Sequence, residues 1–512
     1  MDKNKDILIK HLFAHLEGIV IIPTLDVLIS RISSLDSFKD ISLKKLCTEF
    51  GANEGYLHVA LHTLCSLSLI KKNEIKNDIL FDITDYGKEY IHNFKNFSFY
   101  QSLAPQINKI VKTNFSNHSI ENYQANINSL SYDIKNIQSS LFGLNNELGE
   151  RMAFHLEGAL LSPLFIYNDY SPSDGNLVST NKGIIKSILS LNPKYNIDFL
   201  SYFNKRSKSY GVTLSYQPIY SSLDTLIFSD LNKSLLYQRD NKNNEVHVNR
   251  KLNVWGSGGA HKTYFKKIDE MVVDIFNQPI ESQPLGIADM GCGDGMFLIH
   301  LYNLIKEKTL RGKEIDKYPL VLVGADLNNQ ALESARDNLK LNAIDCNFLI
   351  SDISNPGKYE KDLNTNFNIN IKDLLHVRSF LDHNRIYEDV AIHSESNKII
   401  SSCAYAYKGK HISSEMITSN LINHLSKWKV YIKKHGLILL ELHGLPLELA
   451  QKNKLSTPTA AYESTHGYSD QYIVEYDVFI KCAKIAGMEM VDKYTKLYPD
   501  EILTTVSLNL FK

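Results

Sequence analysis

The stretch "IADMGCGDGMFLIHL", residues 287–301, constrains the fold of this chain more than any other. A short apolar run enters it, glycines stand at 291, 293 and 295, and apolar residues at helical spacing follow from Met296 to Ile305. The pattern predicts a buried strand, a tight turn and a helix, with bare backbone N–H groups at the turn. Dinucleotide sites carry G-x-G-x-x-G, which lets a pyrophosphate approach. Here the order is D-x-G-x-G-x-G, with Asp289 ahead of Gly291, Gly293 and Gly295. A carboxylate at that place repels a pyrophosphate and suits a ligand that carries ammonium or sulfonium charge.

Two more acids follow the same plan. "LVLVGADLN" predicts a second strand ending at Asp326, where an acid can accept the hydroxyls of a ribose. The helix "NNQALESARDNLKLN" has one apolar face, Ala331, Leu332, Ala335 and Leu339, and "FLISDIS" then ends a third strand at Asp352. These residues resemble the class I S-adenosylmethionine-dependent methyltransferases. The resemblance implies the methionine moiety beside Asp289, Gly291, Gly293 and Gly295, the ribose on Asp326 and the adenine amine at Asp352. Leu327, Ile353 and Tyr264 join the expected cofactor-binding residues. One departure is the span of 31 residues from Gly295 to Asp326, against roughly twenty in such units. The charged stretch "KEKTLRGKEIDKYP" reads as an inserted loop.

A chain of 512 residues, 43% of them hydrophobic, has room for roughly three domains with buried cores. Its formal net charge of -1 supplies no overall basic field for nucleic acid or an anionic membrane, so neither is an expected partner. Cys47, Cys65, Cys292, Cys346, Cys403 and Cys482 show no C-x-x-C spacing, which points to a reducing cytoplasm rather than a disulfide framework or a zinc site. The apolar segment "GIVIIPTLDVLI" is interrupted by Pro23 and Asp26, and reads as neither a membrane span nor an export signal.

The first half of the chain contains an echo. "FAHLEGIVIIPTL" at 13–25 and "AFHLEGALLSPLF" at 153–165 share His-Leu-Glu-Gly at an offset of 140 residues, which suggests a diverged duplication. Between them, "SLKKLCTEFGANEGYLHVALHTLCSLSLIKK" and "ILFDITDYG" have the order of a helix-turn-helix with a wing. Residues 53–70 contain no Arg or Lys, which a DNA-reading helix needs, so an interaction or lid role is preferred. Residues 100–150 read as a linker helix, "SPSDGN" at 171–176 as a loop, and Gly256-Ser-Gly-Gly259 as a mobile or tightly turned strap. Near the strap, Trp255, Tyr264 and Phe265 are candidate covers for the adenine or the sulfonium, or core residues. The expected fold class is α/β. It has a Rossmann-like methyltransferase core over 246–512, a winged-helix-like helical domain over 1–99, and a helical lid over 100–245 containing a diverged repeat of the first.

Binding a methyl donor leaves the acceptor to the remaining strand ends on the same edge. "INIKDLLHVRSFLDHNR" brings Asp382 and His383, "HGLILLELHG" brings Glu441 and His443, and "TAAYESTHGYSDQYIVEYDVF" brings His466, Tyr468, Asp470 and Gln471. Such a set can do base work or bind a divalent metal through nitrogen and oxygen; singly, each also has a reading as a cap, core or loop residue. With "VWGSGGAHKTYF", these segments resemble the methyltransferase domains in starter-unit modules of certain polyketide synthases, of the apratoxin type. That resemblance implies C-methylation of a malonyl-type group on an acyl carrier protein, assisted by a mononuclear iron or manganese ion. It makes His443 and Gln471 the candidate metal ligands, with His383 or Asp382 nearby. His466 is a ligand or a base, and His466, Asp382 and Tyr468 are the candidate catalytic residues. The alternatives are a metal-independent O-methyltransferase, paired as a homodimer through its N-terminus and acting on a small hydroxylated molecule, and a DNA-binding regulator that senses S-adenosylmethionine.

Overall fold

Both His-Leu-Glu-Gly stretches lie in long helices, Lys3–Arg31 and Glu147–Tyr170. The computed structural model that shows this describes residues 3–75, 78–95, 147–170, 185, 197–241 and 243–512. The expected linker helix up to residue 146 and the loop at 171–176 lie outside the described residues. The chain divides into two compact units. One is Met1–Ala260 with Ala404–Ile412 and Leu447–Asp470; the other is His261–Cys403 with Ser413–Pro446 and Gln471–Lys512. This division departs from the single core expected over 246–512, because two segments of the second half fold with the first unit.

In the first unit the two long helices pack on each other through their shared motif, and the contacts are reciprocal. His15 Nε2 lies 3.4 Å from Glu157 Oε2, and His155 Nε2 lies 3.2 Å from Glu17 Oε2. The other ring nitrogens meet tyrosine hydroxyls, His15 Nδ1 at 2.9 Å from Tyr210 and His155 Nδ1 at 2.7 Å from Tyr90. A Cβ at Gly18 would run into the carbonyl oxygen of His155, and one at Gly158 into that of His15. The motif is therefore a helix-crossing device. Glycine lets the backbones touch, each histidine meets the other copy's acid, and Arg151 Nη2 adds an ion pair to Glu17 Oε2 at 3.1 Å. Pro23 and Pro163 sit inside these helices without ending them. The stretch Asp6–Arg31 is long and apolar enough to cross a membrane by length and composition, but 83% of its apolar window is buried.

The same unit contains β1 (Ile41–Ser42), the helices Leu43–Phe50 and Glu54–Ser66, and the hairpin of β2 (Ile70–Ile75) and β3 (Asp78–Ile83), in the order expected for a helix-turn-helix with a wing. Strand β1 pairs with β3. Residues Gly55 to Ser66 of the second helix are all buried. Its cover comes from the other half of the sequence, where the helices Leu447–Lys452 and Thr459–Gly467 and a hairpin at residues 405–412 pack on it.

The Gly-Ser-Gly-Gly strap is a correction. Residues 256–259 lie within one helix, Arg250–Phe276. Glycine is there for packing: a Cβ on Gly211 would come 2.6 Å from the Gly256 Cα, so the backbones touch.

The second unit is built on seven strands. In chain order they are β4 (Gly286–Met290), β5 (Val321–Asp326), β6 (Asn347–Ile350), β7 (Leu374–Ser379), β10 (Leu437–Leu442), β11 (Lys496–Tyr498) and β12 (Val506–Phe511), the numbers β8 (Tyr405–Tyr407) and β9 (Lys410–Ile412) belonging to the hairpin of the first unit. Their spatial order is β6-β5-β4-β7-β10-β12-β11. The first five run parallel, and β12 is antiparallel to both neighbours. The central strands are apolar on both faces, as a sheet covered on both sides requires. Strand order reverses beside β4, which pairs with both β5 and β7, and that reversal opens a crevice at the carboxyl ends of the strands. The "KEKTLRGKEIDKYP" stretch is only in part the expected loop, an exposed turn over 314–319. Its start completes the helix Met296–Lys308, a turn of helix follows at Leu310–Lys313, and Arg311 is buried, donating to Gln283 Oε1 at 3.0 Å and the Pro284 carbonyl at 2.9 Å.

Candidate active site

The glycine turn follows β4 as expected. Gly291, Gly293 and Gly295 have φ of 74°, 54° and 76°, a left-handed backbone that side chains other than glycine rarely adopt. The turn is tied to the next strand by Gly291 and Cys292, whose N–H groups donate to the Ala325 carbonyl at 2.8 and 3.1 Å. Gly293 N–H donates to Asp326 Oδ2 at 3.2 Å, and Asn328 N–H to Asp326 Oδ1 at 2.9 Å. One turn on, Asp352 Oδ1 accepts from Ser354 N–H at 2.8 Å. Leu327, beside Asp326, is 60% exposed, whereas Ile353 is buried and its carbonyl accepts from Trp428 Nε1 at 2.8 Å. Tyr264 packs edge-on to Phe380 and Tyr498, while Phe265 stacks on Phe297 in the core.

Asp289 differs from the other two acids. It is buried, and its Oδ1 has no hydrogen-bond partner. Burial, and then the charges of Asp326 and Asp294, push its carboxyl well above the ordinary carboxylate range. An orphaned, buried acid oxygen beside bare glycine backbone fits a ligand that brings a cation, which is the chemistry of an aminoacyl sulfonium. S-adenosylmethionine meets that requirement, and Asp289, Asp326 and Asp352 are the candidate residues to contact it.

The turn adjoins the loop after β7, since a Cβ on Gly291 would lie 2.9 Å from Leu381 Cδ2. Two residues on, His383 Nδ1 lies 2.6 Å from Glu441 Oε1, at the end of β10. Glu441 is buried and fully engaged: Leu442 N–H donates to Oε1 and Asp382 N–H to Oε2, both at 2.7 Å. An acid so held fixes the histidine ring and supports a proton on Nδ1, the arrangement of an oriented general base.

Asp382, a candidate catalytic residue, is engaged by buried partners. It is fully buried, and its Oδ1 accepts from Arg378 Nη1 at 2.6 Å and from His424 Nε2 at 2.9 Å. Burial disfavours its charge, but Arg378, His424 and Arg385 outweigh burial and hold the carboxyl below its usual range. Tyr468 and His466 belong to the first unit. Tyr468 is a core residue whose hydroxyl lies 3.0 Å from Thr24 Oγ1, and burial pushes its phenol up. His466, at the end of the helix Thr459–Gly467, has Nδ1 2.6 Å from the Tyr462 carbonyl.

Of the expected metal ligands, His443 is the one taken up by protein partners. His443 is buried with both ring nitrogens engaged, Nε2 at 2.8 Å from Ser507 Oγ and Nδ1 at 3.3 Å from the Val474 carbonyl. His383 spends Nδ1 on Glu441. Gln471 is half-buried. No group of three or more His, Cys, Asp or Glu side chains among the described residues is placed to hold an ion. Sequence reasoning missed Glu441 as the orienting acid, and with it Arg378 and His424. A visible sign was present, because an arginine in the middle of "LLHVRSF" has no place in a two-faced buried strand unless it is paired.

Strand order, glycine turn and the row of acids define a class I S-adenosylmethionine-dependent methyltransferase. The sequence profile of the AprA MT2-like domain matches residues 245–509, a little over half of the chain, and that of the AprA N-terminal domain matches residues 8–72. The chain belongs to the AprA MT2-like methyltransferase family. No curated protein sequence matches it. Among solved structures, the mitomycin 7-O-methyltransferase MmcR is 10% identical, with a TM-score of 0.37, over 70% of this chain and 95% of that one. The CurJ carbon methyltransferase is 10% identical, with a TM-score of 0.35, over 75% and 98%. An O-methyltransferase family protein from Burkholderia thailandensis is 9% identical, with a TM-score of 0.30, over 96% and 93%. These alignments are too loose to bear on the acceptor.

Proposed function

We propose that the chain transfers a methyl group from S-adenosylmethionine to the α-carbon of a malonyl-type acyl group, with His383 as the base and Glu441 as its orienting partner. The observation that carries this reading is the 2.6 Å His383–Glu441 contact beside the glycine turn. When bound, the cofactor supplies an electrophilic methyl on a sulfonium. His383 takes the α-proton onto its ring, and Glu441 stabilises the imidazolium that results. A positioned base of this kind contributes about a hundredfold to ten-thousandfold. The proposed step uses His383 and Glu441 and assigns no role to His443, whose ring nitrogens meet Ser507 and Val474.

The carrier-bound form of the acceptor follows from the apratoxin-type resemblance, and makes an acyl carrier protein the proposed partner. The runner-up, a metal-independent O-methyltransferase paired through its N-terminus, would use the same base on the hydroxyl of a small molecule. For a DNA-binding regulator, the buried second helix of the winged segment is unfavourable support. The test is incubation of methyl-labelled S-adenosylmethionine with malonyl- and methylmalonyl-loaded carrier proteins and with the free thioesters, followed by intact mass. Label that survives mild alkaline hydrolysis is on carbon. Label released as methanol is on the carboxylate oxygen, and would contradict transfer to carbon.

A further inference from the structure

Beneath the His383–Glu441 pair lies a buried charged chain that proton transfer itself does not use. Arg378 and Asp382 are both fully buried and form an ion pair four residues apart. His424 donates to the same Asp382 oxygen from the helix Ser414–Ile432. One turn along that helix, the Trp428 ring lies 3.9 Å beneath the Arg378 guanidinium, and its Nε1 donates to the carbonyl of Ile353, next to Asp352. Satisfaction is incomplete: Arg378 Nε and Nη2 and Asp382 Oδ2 are buried with no hydrogen-bond partner. A buried ion pair of this kind is weak support for stability, and apolar residues of the same volume would generally serve a core better. Its retention calls for another explanation. The geometry supplies one, since Asp382 is also the residue whose backbone N–H donates to Glu441 Oε2.

We infer that Arg378, Asp382 and His424 act as positioning residues, a brace that fixes the Asp382 backbone so that Glu441 holds the His383 ring in one orientation. The inference rests on the proposed base role of His383. With the side chain of Asp382 clamped from two directions, the loop from Phe380 to Asn384 cannot turn its amide away from Glu441. Through Trp428 and Ile353 the brace also reaches the loop that carries Asp352, so the base and the adenine end of the cofactor site share one support.

The experiment uses the full chain labelled with 15N-histidine. In the wild type, the His383 Nδ1 proton should give a downfield, slowly exchanging resonance, assigned by its loss in His383→Gln. The double variant Arg378→Met/Asp382→Leu removes both charges of the ion pair together. It should bind S-adenosylmethionine within threefold of wild type and shift or broaden that resonance. Transfer to a malonyl thioester should fall at least tenfold in kcat with KM changed less than threefold. An unchanged resonance and kcat within twofold overturn the inference. If the double variant fails to bind the cofactor, His424→Gln, which keeps the ion pair, is read by the same criteria with at least a threefold fall in kcat. Undiminished transfer by His383→Gln is a separate outcome. It refutes the base reading, and the brace with it, whatever the resonance shows.

Discussion

At the scale of the residue, Asp289 carries the sharpest expectation. Its carboxyl is raised well above the ordinary carboxylate range by burial and then by the charges of Asp326 and Asp294, which favours the proton. The sign follows from linkage. A raised folded value stabilises the fold at low pH, and that contribution is lost as pH rises through the folded value. A cationic ligand reverses the preference and draws out the proton. Calorimetry in buffers of different ionisation enthalpy should therefore show proton release on binding S-adenosylmethionine, and affinity that rises with pH. Asp289→Asn should weaken binding by about tenfold to a hundredfold, the range of a hydrogen bond to a charged group, and flatten the pH dependence. At His443 the expectation is negative. A ring held on both nitrogens, with burial pulling it down to about 4, stays neutral and engaged, so His443→Gln should lower stability while leaving the metal content of purified protein unchanged.

At the scale of the element, the crossing of the helices Lys3–Arg31 and Glu147–Tyr170 depends on Gly18 and Gly158. Either glycine changed to alanine must push backbones apart, a loss of about 1–3 kcal/mol or more, read as a lower denaturation midpoint. The pair is also acid-sensitive. His155 is lowered from 6.5, chiefly by burial; Glu17 is lowered from 4.5, because Arg151 and His155 overcome burial. Both depressed values mean stability that rises with pH between the folded and unfolded values. Chemical denaturation should show the loss beginning as pH falls below about 6.5, where an unfolded histidine starts to charge, and His155→Gln should remove that upper part of the profile. Much at this scale was legible in the sequence. The strand, turn and helix of 286–308 follow from apolar spacing and glycines, and the His-Leu-Glu-Gly echo marked a real pairing. What misled was composition: glycines at 256–259 read as a strap, and the charges of 306–319 as loop throughout, although the part up to Lys313 is helical. Glycine serves close backbone contact as readily as a turn, and a buried arginine is invisible until its carbonyl partners are in place.

At the scale of the whole molecule, the order of elements along the chain concealed which segments fold together. Residues 404–412 and 447–470, with Tyr468 and His466 among them, belong with the first unit. The row of acids was readable because parallel strands put successive carboxyl ends on one edge. The His383–Glu441 pair was not, because it joins residues 58 apart in sequence whose alignment depends on strand register. Activity assayed after dialysis against a chelator should equal that of untreated enzyme, and added iron or manganese should leave it within twofold. A loss that only one of these ions restores would return a metal to the mechanism.

The most direct measurement combines labelled cofactor with a malonyl thioester and compares the wild type with His383→Ala and Glu441→Gln. The account predicts an alkali-stable methyl on the acyl carbon, with a rate at least a hundredfold lower in His383→Ala and at least tenfold lower in Glu441→Gln. Label on oxygen alone, or equal rates in all three proteins, would contradict it.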